Sequence, residues 1–171
     1  VVKGYGKLRD RQTVEVVNPD DNSTTGLKAR NIVIATGARP RSIPNVEIDG
    51  KRIISSREAM ILPQIPKSII IIGAGAIGVE FAYLFNAFGV EVNLVEILPQ
   101  ILPIEDEEIT KELSRSFRKR QIGIHINTKV KSVQTQGDFV EVALNSGGES
   151  QILVADYALV ATGVQPNSDN L

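Results

Sequence analysis

The sequence predicts an α/β fold built on a parallel, doubly wound sheet, and two observations lead to this prediction. Residues 69–72 are four consecutive isoleucines, a run that is typical of a strand covered on both faces. From residue 68 to residue 127, strand and helix signals alternate in the order βαβαβ, which predicts right-handed crossovers between parallel strands. The 171 residues suffice for one domain with a sizeable core, or for one domain plus pieces of another.

The first part of the chain predicts two strands and a connection. Residues 12–17 alternate as a strand does, residues 18–26 are a cluster of turn formers, and residues 29–37 predict a second strand that ends at a glycine. Two strands cannot bury a core, so we expect the rest of their sheet outside these residues. The prolines of residues 38–67 predict a connecting segment with little regular structure and a domain boundary, with room for a short helix near residues 57–62.

The segment after the isoleucines predicts two more helix–strand pairs. Apolar residues recur there at helical spacing until Gly89 ends the helix, and residues 90–96 predict the next strand. Residues 104–121 carry acids first and bases last, as suits the helix macrodipole, and residues 122–127 predict a third parallel strand. The phenylalanines of the first helix are predicted to be core residues: Phe81, Phe85 and Phe88.

The last third of the sequence predicts an antiparallel meander and a final buried strand. Glycines separate three runs with strand character: residues 129–135, 138–144 and 150–154. Residues 156–163 then predict a buried strand that ends in Ala-Thr-Gly, as residues 32–37 also do. This near-repeat suggests two related nucleotide-binding units, one of them truncated.

A glycine-rich loop follows the isoleucine strand. Gly73, Gly75 and Gly78 would allow, in turn, a tight turn, the close approach of a pyrophosphate and close packing of the helix on the strand. The helix N-terminus would offer free N–H groups to the phosphates. Glu96 ends the next strand, about 20 residues on, where a carboxylate accepts ribose hydroxyls. Together these features favour a Rossmann-like dinucleotide-binding domain over a purely structural turn.

Two acidic residues bear on the identity of the cofactor. Glu96 would repel a 2′-phosphate, and no Arg or Lys lies between Val90 and Gln100, so NAD(H) is favoured over NADP(H). The alternative is that Glu96 is only a solvated residue at a strand end. Glu80 has two open interpretations, because it could complement the dipole of the helix or face the nicotinamide end of the cofactor.

Composition argues against several other functions. The net charge of −1 predicts no strong attraction to nucleic acid or anionic membranes, and no apolar run approaches the roughly 20 residues that span a bilayer. Cysteine is absent, which excludes disulfides and cysteine metal sites within these residues. His125 stands alone, and the acids at residues 105–108 would point in different directions around a helix. We expect no metal site, and a cytoplasmic location.

These motifs, taken in order, resemble the pyridine nucleotide-disulfide oxidoreductases, and within that family the dihydrolipoamide dehydrogenases. The resemblance rests on GYGKLRDRQTVEV, on the two Ala-Thr-Gly strand ends, on GAGAIGVE with its strand-end acid, and on INTKV. It implies an FAD domain interrupted by an NAD domain. Residues 1–37 would then be an FAD-domain remnant, 38–67 a connection, 68–164 the NAD-binding domain and 165–171 the return to the FAD domain.

The resemblance also implies roles for individual residues. NAD would be bound by Glu96 and by the loop residues Gly73, Ala74, Gly75, Ala76, Ile77, Gly78, Val79 and Glu80. Val130 would lie near the adenine and Gly163 near the nicotinamide half, and Glu80 would belong to the nicotinamide side. FAD would be contacted by Gly6, Ala35, Thr36 and Gly37.

The implied chemistry is a relay from a dithiol through an enzyme disulfide and FAD to NAD⁺. The redox cysteines, the first FAD glycine loop and the dimerisation domain with its His-Glu base are absent, so we expect an NAD(H)-binding fragment that is inactive alone and has no catalytic residue. Its parent would be a homodimer and a candidate member of a 2-oxo acid dehydrogenase complex. Two alternatives stay open: a stand-alone NAD-binding module that senses redox state, and a fragment of a related NADH oxidase or other disulfide reductase.

Overall fold

The computed structural model describes all 171 residues, and the chain divides into two compact units. Unit 1 comprises Val1–Arg39 and Gln165–Leu171, and unit 2 comprises Pro40–Val164. The residues that the resemblance assigns to NAD therefore lie in unit 2, and those that it assigns to FAD lie in unit 1.

Thirteen strands and three helices follow one another along the chain. The strands are β1 (Tyr5–Leu8), β2 (Thr13–Val17), β3 (Thr24–Lys28), β4 (Ala38–Pro40), β5 (Ile53–Ile54), β6 (Ser68–Ile72), β7 (Glu91–Val95), β8 (Gly123–His125), β9 (Thr128–Gln136), β10 (Phe139–Ser146), β11 (Glu149–Ala155), β12 (Tyr157–Val160) and β13 (Val164–Pro166). The helices are α1 (Ser56–Ala59), α2 (Ala76–Ala87) and α3 (Glu107–Lys119). No helix is long and apolar enough to cross a membrane.

Unit 1 contains an antiparallel sheet in the order β1-β2-β3. The strand at residues 12–17 is confirmed as β2, but two expectations beside it are wrong. The turn predicted at residues 18–26 ends before residue 24, because residues 24–28 form β3, which pairs with β2. Residues 29–37 form no strand, and Val33 is 87% exposed. An apolar run becomes a strand only where a partner strand and a packing surface stabilise it, and this run has neither in unit 1.

Unit 2 contains a five-stranded parallel sheet in the order β5-β12-β6-β7-β8. This confirms the α/β class and the βαβαβ order. The four isoleucines of β6 are buried and point alternately to two different cores. Ile69 and Ile71 pack with residues of the three helices, whereas Ile70 and Ile72 pack with residues of β9 and β10. The second face of the parallel sheet is therefore covered by antiparallel strands.

The three antiparallel strands are confirmed as β9, β10 and β11, in the order β11-β10-β9. β9 is an edge strand of this sheet. Its register against β10 shifts by one residue, because Ser132 lies opposite Ala143 whereas Val130 lies opposite Leu144. Lys131 is thus an extra residue without a partner, which is a β-bulge.

Residues 38–67 carry more regular structure than their prolines predict. β5 pairs with β12 at one edge of the parallel sheet. The carboxylate of Asp49 accepts hydrogen bonds from the N–H groups of Lys51, Arg52 and Ile53, which fixes the chain before β5. The helix expected near residues 57–62 begins slightly earlier, at Ser56, with a capping box at its start.

Helix α2 differs from the prediction at its C-terminal end. Phe81 and Phe85 pack on each other with ring centroids 5.9 Å apart, and Phe85 is buried. Phe88 is not a core residue, since 59% of its surface is exposed. It is the C-cap residue of α2, where the chain leaves the helical path and Gly89 adopts φ +79°. The helical period therefore no longer places it on the buried face.

Candidate functional site

A cavity of about 770 Å³ lies within unit 2, at the carboxyl ends of the central parallel strands. Its walls include the residues just after β6, β7 and β12, the start of α2 and the first part of β9. Open α/β sheets bind ligands in this position, and pockets for small molecules and cofactors have volumes of roughly 300–1,000 Å³. Both the position and the size of the cavity suit a cofactor.

The glycine loop forms one wall, and its geometry requires glycine at two positions. Gly73 has φ +102°, and a Cβ atom there would lie 2.7 Å from the carbonyl oxygen of Ala161. A Cβ at Gly78 would collide with the carbonyl oxygen of Gly73, so this glycine permits the close packing of α2 on the loop. The sequence assigned the turn to Gly73 and the packing to Gly78, and the geometry agrees with both assignments.

The N-terminus of α2 faces the same cavity. Gly75 is its N-cap and offers no side-chain acceptor to the N–H groups of the first turn. A Cβ at Gly75 would meet nothing within 4 Å, and Gly75, Ala76 and Ile77 line the cavity. Unpaired N–H groups at a helix N-terminus form a ready anion site. This wall can therefore accept a phosphate group.

Glu96 lies immediately after β7 and is only 8% exposed. One carboxylate oxygen accepts the N–H of Ala74 at 2.8 Å, and the other accepts the N–H of Leu98 at 2.9 Å. The alternative of a solvated strand-end residue is therefore wrong. Each carboxylate oxygen has a second lone pair, so Glu96 can still accept hydrogen bonds from hydroxyl groups in the cavity.

The remaining predicted NAD residues divide into three groups. Val130 on β9 and Gly163 after β12 line the cavity. Ala74, Gly78 and Val79 are buried and do not line it. Glu80 is exposed and lies outside the lining, and because α2 begins at Ala76 it lies beyond the first helical turn. This position weakens the interpretation of Glu80 as a partner of the helix dipole, and its nicotinamide role stays a prediction.

The residues that the resemblance assigns to FAD do not line this cavity. Gly6 is an exposed residue of β1, and Ala35, Thr36 and Gly37 are exposed as well. Within unit 1, Asn167 donates hydrogen bonds from its backbone N–H to the carbonyl oxygen of Gly37 and from its side-chain amide to that of Thr36. Their contact with FAD stays a prediction.

Sequence reasoning missed part of the lining. Four consecutive residues of β9 line the cavity, and among them only Val130 was expected: Thr128, Lys129, Val130 and Lys131. No Arg or Lys lies near Glu96 in the sequence, whereas these two lysines belong to a strand about thirty residues further on. The carbonyl oxygen of Glu96 accepts the N–H of Thr128 at 2.9 Å, which joins β9 to the acid.

His125 lies on β8, away from the cavity lining. Its Nε2 atom is 3.0 Å from the side-chain oxygen of Asn93 on β7. Burial lowers the pKa of His125 below its ordinary value of 6.5. His125 is thus a partly buried residue of β8 whose ring contacts the neighbouring strand β7.

Comparison with known proteins identifies the family of the chain. The family model of pyridine nucleotide-disulphide oxidoreductases matches residues 1–171. A dihydrolipoyl dehydrogenase from Chlorobaculum tepidum is 43% identical over the whole chain, which spans 36% of that protein. The chain therefore spans about a third of the length of this relative.

Solved structures give the same result. LpdA from Mycobacterium tuberculosis superposes with a TM-score of 0.86 at 30% identity, over 99% of this chain and 38% of the other. The copper(II) complex of RclA, an HOCl-induced flavoprotein disulfide reductase from Escherichia coli, superposes with a TM-score of 0.81 at 28% identity. The match covers 98% of this chain and 37% of RclA. Cavity, sequence and structural likeness agree, and the chain belongs to the pyridine nucleotide-disulphide oxidoreductase family.

Proposed function

We propose that unit 2 binds NAD(H), and that the chain supplies the NAD(H)-binding part of a flavin-dependent oxidoreductase of the dihydrolipoamide dehydrogenase type. The observation that carries this proposal is the convergence of three features on one cavity: the glycine loop, the start of α2 and the buried carboxylate of Glu96. A dinucleotide needs these three groups for its phosphates and its ribose.

We assign each part of the cofactor to one part of the cavity. The N–H groups at the start of α2, beside Gly75, would hold the pyrophosphate. Glu96 would accept the ribose hydroxyls, and Val130 would lie near the adenine. We assign the nicotinamide half to the side of Gly163, and residues 68–164 to the NAD-binding domain.

NAD⁺ supplies hydride acceptance when it is bound, and the chain binds and orients it. We propose that the complete protein oxidises a dithiol to a disulfide and passes two electrons through FAD to NAD⁺. The chain has no cysteine, so its residues cannot form the redox disulfide of this reaction. The 171 residues alone should bind NADH without oxidising dihydrolipoamide.

A binding measurement tests the cofactor assignment. NADH and NADPH are titrated into the chain, and binding is followed by the fluorescence of the reduced nicotinamide. We expect tighter binding of NADH, and equal or reversed affinities would contradict the role of Glu96. Glu91→Gln is the matched control for a change at Glu96, because Glu91 is an exposed acid at the other end of β7 and lies outside the cavity lining. This variant should keep the preference of the unmodified chain for NADH.

The substrate and assembly of the complete protein are also proposals. The chain is 43% identical to a dihydrolipoyl dehydrogenase and 28% identical to RclA. We therefore propose dihydrolipoamide, rather than the substrate of RclA, as the substrate of the complete protein. Activity of the complete protein with dihydrolipoamide, compared with other dithiols and disulfides, tests this choice. We further propose a cytoplasmic homodimer that joins a 2-oxo acid dehydrogenase complex, which size-exclusion chromatography and co-purification can check.

A further inference from the structure

Two lysines that the proposed function does not use, Lys129 and Lys131, line the cavity that contains Glu96. Both are exposed residues of β9. Thr128, the residue before Lys129, donates its backbone N–H to the carbonyl oxygen of Glu96. The lysines therefore follow directly on the point where β9 meets the strand-end acid.

Lys129 and Lys131 lie on an edge strand that a β-bulge interrupts beside the cavity. In a regular strand, successive side chains point to opposite faces, and a cavity on one face would meet every second residue. Here four consecutive residues, 128–131, line the cavity. Lys131 is the extra residue of the bulge, and β9 is an edge strand with no neighbour beyond it. Burial alternates along these four residues, so Lys129 and Lys131 lie together on the exposed face of β9, opposite the buried Thr128 and Val130.

The charges of the two lysines are not used elsewhere in the structure. Neither takes part in any of the four ion pairs of the chain. Glu96 is the sole acidic residue in the lining, and its two oxygens accept backbone N–H groups rather than a lysine. The cavity thus has two unpaired cations and one carboxylate.

We propose that Lys129 and Lys131 form a latent site for the 2′-phosphate of NADP(H), which the carboxylate of Glu96 masks. This inference rests on the proposed binding of the adenosine ribose at Glu96. A 2′-phosphate carries close to two negative charges, which a carboxylate repels and ammonium groups attract. Removal of the single negative charge at Glu96 would therefore admit NADP(H) without the introduction of any new basic residue.

The test compares three variants with the unmodified chain: Glu96→Gln, the double variant Lys129→Gln with Lys131→Gln, and the triple variant. Dissociation constants for NADH and NADPH are measured for each by nicotinamide fluorescence. We expect Glu96→Gln to raise the affinity for NADPH relative to NADH by about tenfold or more, on the scale of a charge-assisted contact. The triple variant should lose most of this gain.

The ratio of the NADPH affinity to the NADH affinity distinguishes a change in cofactor preference from damage to the glycine loop. A glutamine has one carbonyl oxygen where Glu96 uses two, so Glu96→Gln disturbs the glycine loop and weakens both cofactors together. The double variant keeps Glu96 and changes only exposed side chains, and it should weaken NADPH more than NADH. Lys111→Gln with Lys119→Gln on α3 is the matched control for net charge, because neither residue lines the cavity.

The results that overturn the inference are distinct from those that overturn the proposed function. If the unmodified chain binds NADH but Glu96→Gln brings no relative gain for NADPH, the latent site does not exist. If the triple variant keeps the gain, the lysines do not form the site. If the unmodified chain binds neither cofactor, the proposed function fails, and the latent site fails with it.

Discussion

The carboxylate of Glu96, at the end of β7, accepts the backbone N–H of Ala74 in the glycine loop at 2.8 Å. The side chain of Glu96 thus links the end of β7 to the glycine loop, which is proposed to hold the phosphates of the cofactor. The second oxygen of Glu96 accepts the N–H of Leu98, which fixes the chain beyond β7. Glu96 is therefore a structural residue as well as a candidate ligand of the ribose.

The substitution Glu96→Ala should lower the free energy of unfolding by about 1–3 kcal/mol, because two N–H groups would lose their acceptor. Urea denaturation measures this change. Glu91→Ala, on the exposed end of the same strand, should change the stability by less than about 0.5 kcal/mol. Equal effects of the two variants would show that the hydrogen bonds of Glu96 contribute nothing to the fold.

The substitution Gly73→Ala should destabilise unit 2 by about 2 kcal/mol or more, because it combines a positive φ with a Cβ too close to the carbonyl of Ala161. Gly148→Ala is the matched comparison. Gly148 has φ +96°, but a Cβ there would meet nothing within 4 Å, so only the cost of the backbone conformation, about 1 kcal/mol, applies.

Thermal or urea unfolding of both variants checks the difference between them. If Gly73→Ala proved no worse than Gly148→Ala, the close approach of Gly73 to Ala161 would carry no energetic weight. NADH affinity should fall with Gly73→Ala and stay unchanged with Gly148→Ala, since Gly148 does not line the cavity.

The two phenylalanines at the end of α2 should respond differently to truncation. Phe85→Ala should cost about 3 kcal/mol or more, because the side chain is only 6% exposed and its loss would leave a cavity. Phe88→Ala should cost less than about 1 kcal/mol, since its ring is mostly in solvent. Midpoints of urea denaturation compare the variants, and a larger loss for Phe88→Ala would contradict the exposure of its ring.

Features with a strong local signal could be predicted from the sequence. The four isoleucines of β6 and the acid-to-base gradient of α3 each carry their own periodicity or charge pattern. The glycine spacing and Glu96 could also be predicted, since each of these residue types serves a specific geometric need. Local signals thus predicted the parallel sheet, and the glycine loop and the acid that form part of the cavity wall.

Features that depend on distant partners could not be predicted in this way. The run at residues 29–37 has the composition of a strand but no partner in unit 1 to pair with. The bulge at Lys131 exists only in the register between β9 and β10, which no single segment encodes. The placement of Lys129 and Lys131 in the cavity that contains Glu96 therefore becomes visible only in the folded chain.

Unit 2 should lose stability as the pH falls below neutrality, and His125 should be one cause. In the unfolded chain the imidazole titrates near its ordinary pKa of 6.5, whereas burial lowers the pKa in the folded state. Between these two pKa values the unfolded state binds a proton that the folded state does not, so falling pH favours unfolding. The contribution is fully present above about pH 6.5 and declines as the pH falls toward the folded pKa.

The variant His125→Gln isolates this contribution. Glutamine keeps a donor that can reach the side-chain oxygen of Asn93, and it does not titrate. Subtraction of the two pH profiles of unfolding free energy, measured by urea denaturation, removes the contributions of all other groups. We expect the stability of the unmodified chain to fall relative to His125→Gln between about pH 7 and pH 5. A constant difference across this range would mean that His125 has the same pKa in both states, and that its position on β8 does not shield the ring from water.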